Sequence, residues 1–141
     1  MKIDLEKAFG RLKWSFLREV LSGAGFGNKF IELSMRCVSS ASLNVLWNGN
    51  TTKFFQPSRG IRQGDSISPF LFIVCMDRLS HIICDEVAAK SWKPISITKD
   101  GPTISHLMFA DDLLLFREAS EEQASIMMTV LDKFCCASGE S

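Results

Sequence analysis

The chain has 141 residues, 46% of them hydrophobic, and its 16 basic residues balance its 16 acidic ones. This length and composition suit a single globular domain with a substantial core and exclude a fibrous or disordered chain. The balanced charge excludes the overall positive field that by itself would indicate nucleic-acid binding, so any polyanion would need a local basic patch.

The chain shows no membrane or export signal. Its longest fully apolar stretch, Phe70–Met76, is far shorter than the roughly 20 residues that span a bilayer, so we expect no contact with a membrane. The start of the chain lacks the apolar segment of a signal peptide, which predicts a reducing compartment, either cytoplasm or nucleus. The five cysteines are then expected to be reduced side chains of the core.

The first third of the chain reads as a strand followed by two helices. The strand is predicted at Lys2–Leu5. Apolar residues at the spacing of one helix face predict helices at Trp14–Leu21 and Asn28–Val38, the second of them capped by Asn28.

The middle third reads as a hairpin, a loop and a long helix. The runs Ser42–Trp47 and Thr51–Phe55 are strand-like, and Asn48-Gly49 between them is the preferred pair of a type I′ turn. Pro57–Asp65 is a predicted loop, and Ser66–Lys90 has helical periodicity. The face of this helix expected to be buried consists of Ile67, Leu71, Val74, Ile82 and the stem of Arg78.

The last third contains a second hairpin and a helix. A short strand is predicted at Ile95–Thr98, the runs Ile104–Phe109 and Leu113–Phe116 read as paired strands, and a helix runs from about Ser120 to Gly139. The order of elements predicts an α+β fold, with helices packed on one face of a small antiparallel sheet.

Asp111 and Asp112 are adjacent carboxylates at the predicted reversal between two strands. Like charges side by side repel, and each raises the pKa of the other unless a cation lies between them. Asp4, at the end of the first strand, could supply a third carboxylate if the strands are neighbours. Oxygen ligands alone favour Mg²⁺ over zinc. Spacing does not show that the strands are neighbours, and a solvated acidic turn is the alternative.

Three segments occur in a set order along the chain: Asp4–Phe9 (DLEKAF), Arg59–Pro69 (RGIRQGDSISP) and Phe109–Asp112 (FADD). They closely resemble motifs A, B and C of reverse transcriptases, and the match is nearest to the LINE-type (non-LTR) retroelement polymerases. The resemblance covers essentially the whole chain. It implies a polymerase palm-like fold, with residues 1–141 as a partial reverse transcriptase domain from which the fingers and thumb are absent.

The resemblance also implies a metal site. Asp4 and Asp111 would ligate two Mg²⁺ ions, with Mn²⁺ as a substitute, and Asp112 would complete the acidic cluster. Leu5 would offer its backbone carbonyl to a metal. Two such ions suit nucleotidyl transfer, in which one activates a hydroxyl and the other stabilises a leaving phosphate oxygen.

Further residues would contact the nucleotide. The resemblance implies that Phe9 excludes ribonucleotides by crowding the 2′ carbon, although a plain core aromatic is the alternative. Gln63 and Gly64 would contact the incoming nucleotide, although Gln-Gly-Asp could be simply a turn before a helix. Arg62 and Arg59 would meet the phosphates of nucleotide and nucleic acid, or be solvated loop arginines.

The implied reaction is RNA-templated addition of dNTPs to a DNA primer, and we expect this chain by itself to be inactive. An RNA-dependent RNA polymerase and a group II intron-type maturase are alternative enzymes. The non-enzymatic alternative is a retroelement relic, or a co-opted module that binds nucleic acid or protein. Gly10 departs from the family pattern, because these elements usually carry an acidic residue there.

Overall fold

The structure is a computed structural model. It describes residues 1–4, 8–99, 101–109 and 112–139, with the side chains of residues 4 and 8 excepted. The described elements, in chain order, are β1 (Lys2–Asp4), α1 (Ala8–Arg11), α2 (Trp14–Gly23), α3 (Asn28–Ser39), β2 (Leu46–Trp47), β3 (Asn50–Thr51), α4 (Ser68–Ala88), β4 (Ile95–Ser96), β5 (Thr103–Ile104), β6 (His106–Phe109), β7 (Asp112–Leu115) and α5 (Glu121–Ser138).

A three-stranded antiparallel sheet of order β1-β7-β6 organises the fold. Its inner face is buried, since Leu113 and Leu115 are at most 1% exposed. Its outer face is open, since Leu107 is 51% exposed and Phe109 is 83% exposed. The predicted α+β architecture, with helices on one face of a small sheet, is confirmed.

The core lies between the inner face of the sheet and four helices. Helix α2 packs against α3, α4 and α5, and α4 also packs against α5. The fully buried side chains at the centre include Leu17, Leu21, Leu71, Leu79, Ile83, Val130 and Phe134. The inner face of the sheet is therefore covered by the apolar core.

The type I′ turn is confirmed, because Asn48 and Gly49 both have positive φ, 47° and 79°. The strands around it are shorter than predicted, and an isolated bridge between Leu43 and Phe55 continues the pairing beyond them. The ladder changes at Val45, whose carbonyl accepts from the Thr52 amide while its own amide donates to the Thr52 side-chain hydroxyl.

Helix α4 begins at Ser68 and not at Ser66, and its buried face differs from the predicted one. The buried residues are Ser68, Leu71, Phe72, Cys75, Met76, Leu79 and Ile83. Val74 and Ile82 are half-buried, and Arg78 is exposed. The run Phe70–Met76 is apolar on every side of the helix, so periodicity alone does not select the inner face.

Other boundaries also differ. Helix α3 is capped by Gly27, and Asn28 is its first residue. The predicted strand Ile104–Phe109 is divided at Ser105, because β5 pairs with β4 whereas β6 pairs with β7. Helix α5 is as predicted, with Ser120 as N-cap and Gly139 ending it at a φ of 88°.

The cysteines are free thiols, as predicted, but most are not core residues. Cys75 is buried and Cys135 is half-buried, whereas Cys37, Cys84 and Cys136 are exposed. Among the described helices, none is both long and apolar enough to cross a bilayer.

Candidate metal and nucleotide site

The two segments that carry the predicted carboxylates are hydrogen-bonded neighbours. In the pairing of β1 with β7, Asp4 lies directly opposite Asp112, and Ile3 lies opposite Leu113. Residues opposite each other in an antiparallel pair have their Cα atoms about 4.5–5.5 Å apart. The register thus brings the backbone of Asp4 beside Asp112, which spacing along the sequence did not show.

Part of the predicted site lies outside the described residues. These parts are Leu5, Asp111 and the side chain of Asp4. Among the side chains that the structure does describe, no three of His, Cys, Asp or Glu come together as a metal site. Asp112 is therefore the predicted carboxylate whose surroundings are seen directly.

Asp112 is half-buried at the start of β7, and its carboxylate forms an ion pair with a lysine. The Nζ atom of Lys2 is 2.8 Å from Oδ1 of Asp112. Lys2 belongs to β1, and its own register partner is Leu114, two residues beyond Asp112. Strand side chains alternate between faces, so Lys2 and Asp112 share the outer face of the sheet.

Sequence reasoning missed the rest of this outer face. Phe109 lies opposite Asp112, and Leu107 lies opposite Leu114. These two side chains and that of Leu114 are exposed apolar groups on the same face as the ion pair. The period-two alternation of strand side chains, together with the register of β1 and β7, places Lys2 on the same face as Asp112. The outer face of the sheet therefore carries both charged and exposed apolar side chains.

The predicted loop before α4 is bound to the segment after β1. Gly60 donates its amide to the Leu12 carbonyl at 2.7 Å, and Ile61 donates to the Phe9 carbonyl at 2.6 Å. The indole Nε1 of Trp14 donates to the Gly60 carbonyl at 2.7 Å. These bonds fix the loop relative to the segment of residues 9–14.

Only glycine fits this contact at position 60. Gly60 has a φ of +85°, and a Cβ on it would lie 2.6 Å from the carbonyl oxygen of Gly10. Gly10 itself needs no special conformation, since a Cβ there would meet nothing within 4 Å. The departure from the family pattern at Gly10 thus leaves an open position and not a steric requirement.

The polar residues of the loop face solvent. Arg59, Gln63 and Gly64 are exposed, and Gly64 has a φ of +98°. Arg62 is also exposed, with its Nε 3.9 Å from Oδ2 of Asp65. The loop is anchored through Gly60 and Ile61, which leaves the predicted nucleotide-binding residues accessible.

Phe9 is held against the long helix. It is half-buried, and its ring stacks on Phe72 of α4 with centroids 4.6 Å apart and an interplanar angle of 20°. The ring packs against the core through one face and still has exposed surface. Phe9 is therefore compatible both with exclusion of ribonucleotides and with a plain core aromatic. The stack fixes the position of the ring.

His106 joins β6 to α4 behind the outer face. Its Nε2 is 2.7 Å from the Ser80 hydroxyl, and its Nδ1 is 2.9 Å from the Ser105 hydroxyl. Burial lowers the pKa of His106 below its ordinary value. A neutral imidazole can donate to one hydroxyl and accept from the other.

Comparison with known proteins gives consistent results for this chain. A family model described as reverse transcriptase (RNA-dependent DNA polymerase) matches residues 1–139. The chain is 31% identical over 116 residues to the Pol polyprotein of the retrotransposable element R2DM of Drosophila melanogaster, covering 82% of this chain and 10% of that protein. It is 27% identical over 134 residues to an R2 Pol polyprotein of Popillia japonica, covering 95% of this chain and 21% of that protein.

A solved structure has the same fold. The chain superposes on telomerase from Candida tropicalis, in complex with a TWJ fragment of telomeric RNA, with a TM-score of 0.72 and 14% identity. The match covers 99% of this chain and 24% of the telomerase chain. At that identity the likeness concerns the fold alone. The chain spans about a fifth or less of the length of these R2 polyproteins.

Proposed function

Because the chain belongs to the reverse transcriptase family, we propose that it forms the palm of a polymerase that copies RNA into DNA. The substrates would be an RNA template, a DNA primer and dNTPs. The observation that carries the proposal is the register of β1 and β7, which sets Asp4 opposite Asp112. R2 elements are non-LTR retrotransposons, and the R2 relatives support a parent protein of that class.

The donor groups fit magnesium. Asp112 offers a carboxylate that already holds the ammonium of Lys2 at 2.8 Å, so a cation fits at this position. Asp4, Asp111 and the Leu5 carbonyl would add further oxygen ligands, which Mg²⁺ prefers. Two Mg²⁺ ions bound there would supply Lewis-acid activation of the primer hydroxyl and stabilise charge on the departing pyrophosphate.

The chain's own residues would position the substrates. Gln63 and Gly64 would contact the nucleotide from the loop that Gly60 anchors, and Arg62 would bind its phosphates. Arg59 would contact the nucleic-acid backbone. Positioning of this kind supplies most of the catalysis in phosphoryl transfer.

Phe9 would act on the sugar. Its stack on Phe72 holds the ring in one place, which is what steric exclusion of a 2′ hydroxyl needs. This selection for dNTPs is the feature that separates the proposed reaction from RNA synthesis.

The direct test is a primer-extension assay. It uses the complete polypeptide that is encoded by the transcript containing this chain. With an RNA template, a DNA primer, dNTPs and Mg²⁺, we expect synthesis that Asp112→Asn reduces by about a thousandfold or more. The matched control is Asp132→Asn, which changes an exposed carboxylate on α5 and should leave synthesis unchanged. Undiminished synthesis by Asp112→Asn would contradict the proposal, and a protein with no synthesis would favour a relic or binding module.

A further inference from the structure

Lys2 places a positive charge directly on the candidate metal site. Its Nζ atom is 2.8 Å from Oδ1 of Asp112, the distance of a charge-assisted hydrogen bond. Lys2 stands two residues before Asp4, whose register partner is Asp112 itself. A cation is thus in place where the proposed function requires a divalent metal.

The ion pair of Lys2 with Asp112 lies at the surface. The side chain of Lys2 is 61% exposed and that of Asp112 is 44% exposed, so the pair lies at the surface and not in the core. Lysine carries a compact charge on a flexible four-carbon stem, and its head group is strongly hydrated. A hydrated ammonium on a flexible stem can exchange its contact with this carboxylate for water.

A metal and the ammonium compete for the same carboxylate. A Mg²⁺ ligand oxygen lies about 2.0–2.1 Å from the ion, so an ion on Asp112 would come within a few ångström of Nζ. Like charges that close repel even at high dielectric. We infer that Lys2 is an internal counter-ion of the acidic site and that a divalent metal must displace its ammonium group from Asp112. This inference rests on the proposed function.

This role gives two effects of opposite sign. Without metal, Lys2 offsets the repulsion between neighbouring carboxylates, so its removal should lower the thermal midpoint of the chain. With metal, Lys2 opposes binding, so its removal should tighten binding about three- to tenfold. A lysine with a purely structural role would show the first effect and not the second.

The experiment is a Mn²⁺ titration of the 141-residue chain, followed by the electron paramagnetic resonance of free Mn²⁺. The variants are Lys2→Met, Lys2→Arg, Asp112→Asn and the double variant Lys2→Met/Asp112→Asn. Lys93→Met is the matched control. The Lys93 side chain is 59% exposed, and its Nζ atom lies 3.4 Å from a carboxylate oxygen of Glu118, which is a different carboxylate from that of Asp112. Circular dichroism melts without metal report the stability of each variant.

We expect tighter binding for Lys2→Met alone, with Lys2→Arg and Lys93→Met like the unchanged chain. The gain should be smaller in the double variant than in Lys2→Met alone, because the contact with Asp112 carries part of the competition. If Asp112→Asn weakens binding and Lys2→Met does not tighten it, the counter-ion inference is wrong while the metal site stands. If Asp112→Asn leaves binding unchanged, the proposed metal site is wrong and the inference falls with it.

Discussion

Gly60 approaches Gly10 so closely that a Cβ on Gly60 would lie 2.6 Å from the carbonyl oxygen of Gly10. The φ of Gly60, +85°, also disfavours any residue with a side chain. We therefore predict that Gly60→Ala lowers the free energy of unfolding by about 2 kcal/mol or more, through strain and loss of the loop contact. Urea denaturation monitored by circular dichroism measures this.

Two other glycines are matched controls for Gly60. Gly64→Ala meets the same kind of positive φ without a clash, so its cost should be about 1 kcal/mol. Gly10→Ala has open space in a helical turn and should stabilise the chain by about 0.5–1 kcal/mol. Equal losses for Gly60→Ala and Gly64→Ala would show that the contact with Gly10 contributes nothing.

The stacked ring of Phe9 gives a prediction about the sugar. Phe9→Val should raise incorporation of ribonucleotides relative to dNTPs by about tenfold or more, because the smaller side chain leaves room for a 2′ hydroxyl. The ratio of the two incorporation rates in the primer-extension assay measures it.

Phe72→Leu separates this role from packing. That change also removes the ring stack, in which the two centroids lie 4.6 Å apart, but it leaves Phe9 in the chain. Both variants should lose stability. Phe9→Val should change the sugar preference strongly, whereas Phe72→Leu, which removes the stack but keeps the Phe9 ring, should change it less. An unchanged ratio for Phe9→Val would leave Phe9 as a plain core aromatic.

Burial of His106 gives a prediction about pH. Its pKa is lowered in the folded chain, whereas in the unfolded chain it is about 6.5. Below about pH 6.5 the unfolded chain binds a proton that the folded chain does not. This group therefore makes stability decrease as the pH decreases, until the pH reaches the pKa of His106 in the folded chain. His106→Gln should remove this part of the slope in urea midpoints between about pH 8 and about pH 5. A slope equal to that of the unchanged chain would contradict the assignment.

Local signals in the sequence predicted much of the fold. The Asn48-Gly49 turn follows from positive φ at both residues, and the ends of α5 follow from Ser120 and Gly139. These features depend on residues close in sequence, so one stretch contains the whole physical cause. The inner face of α4 could not be predicted in this way, because Phe70–Met76 is apolar all round and its packing partners select the buried side.

The site was predicted by resemblance and not by spacing. Nothing in the separation of Asp4 from Asp112 indicates that their strands are neighbours, since the pairing of β1 with β7 is a long-range contact. Lys2 was missed for a different reason. A lysine before an acidic motif reads as a surface charge until the register shows that it shares a face with Asp112.

The proposed function requires β1 and β7 to bind divalent metal together. The most direct measurement is paramagnetic broadening of backbone amide signals by substoichiometric Mn²⁺, recorded by nuclear magnetic resonance on the 141-residue chain. We predict that Ile3 and Leu113, which are register partners on the two strands, broaden together, and that Asp112→Asn abolishes both effects. Thr129 on α5 should keep its signal. Broadening confined to one strand, or unchanged in Asp112→Asn, would contradict a shared metal site on β1 and β7.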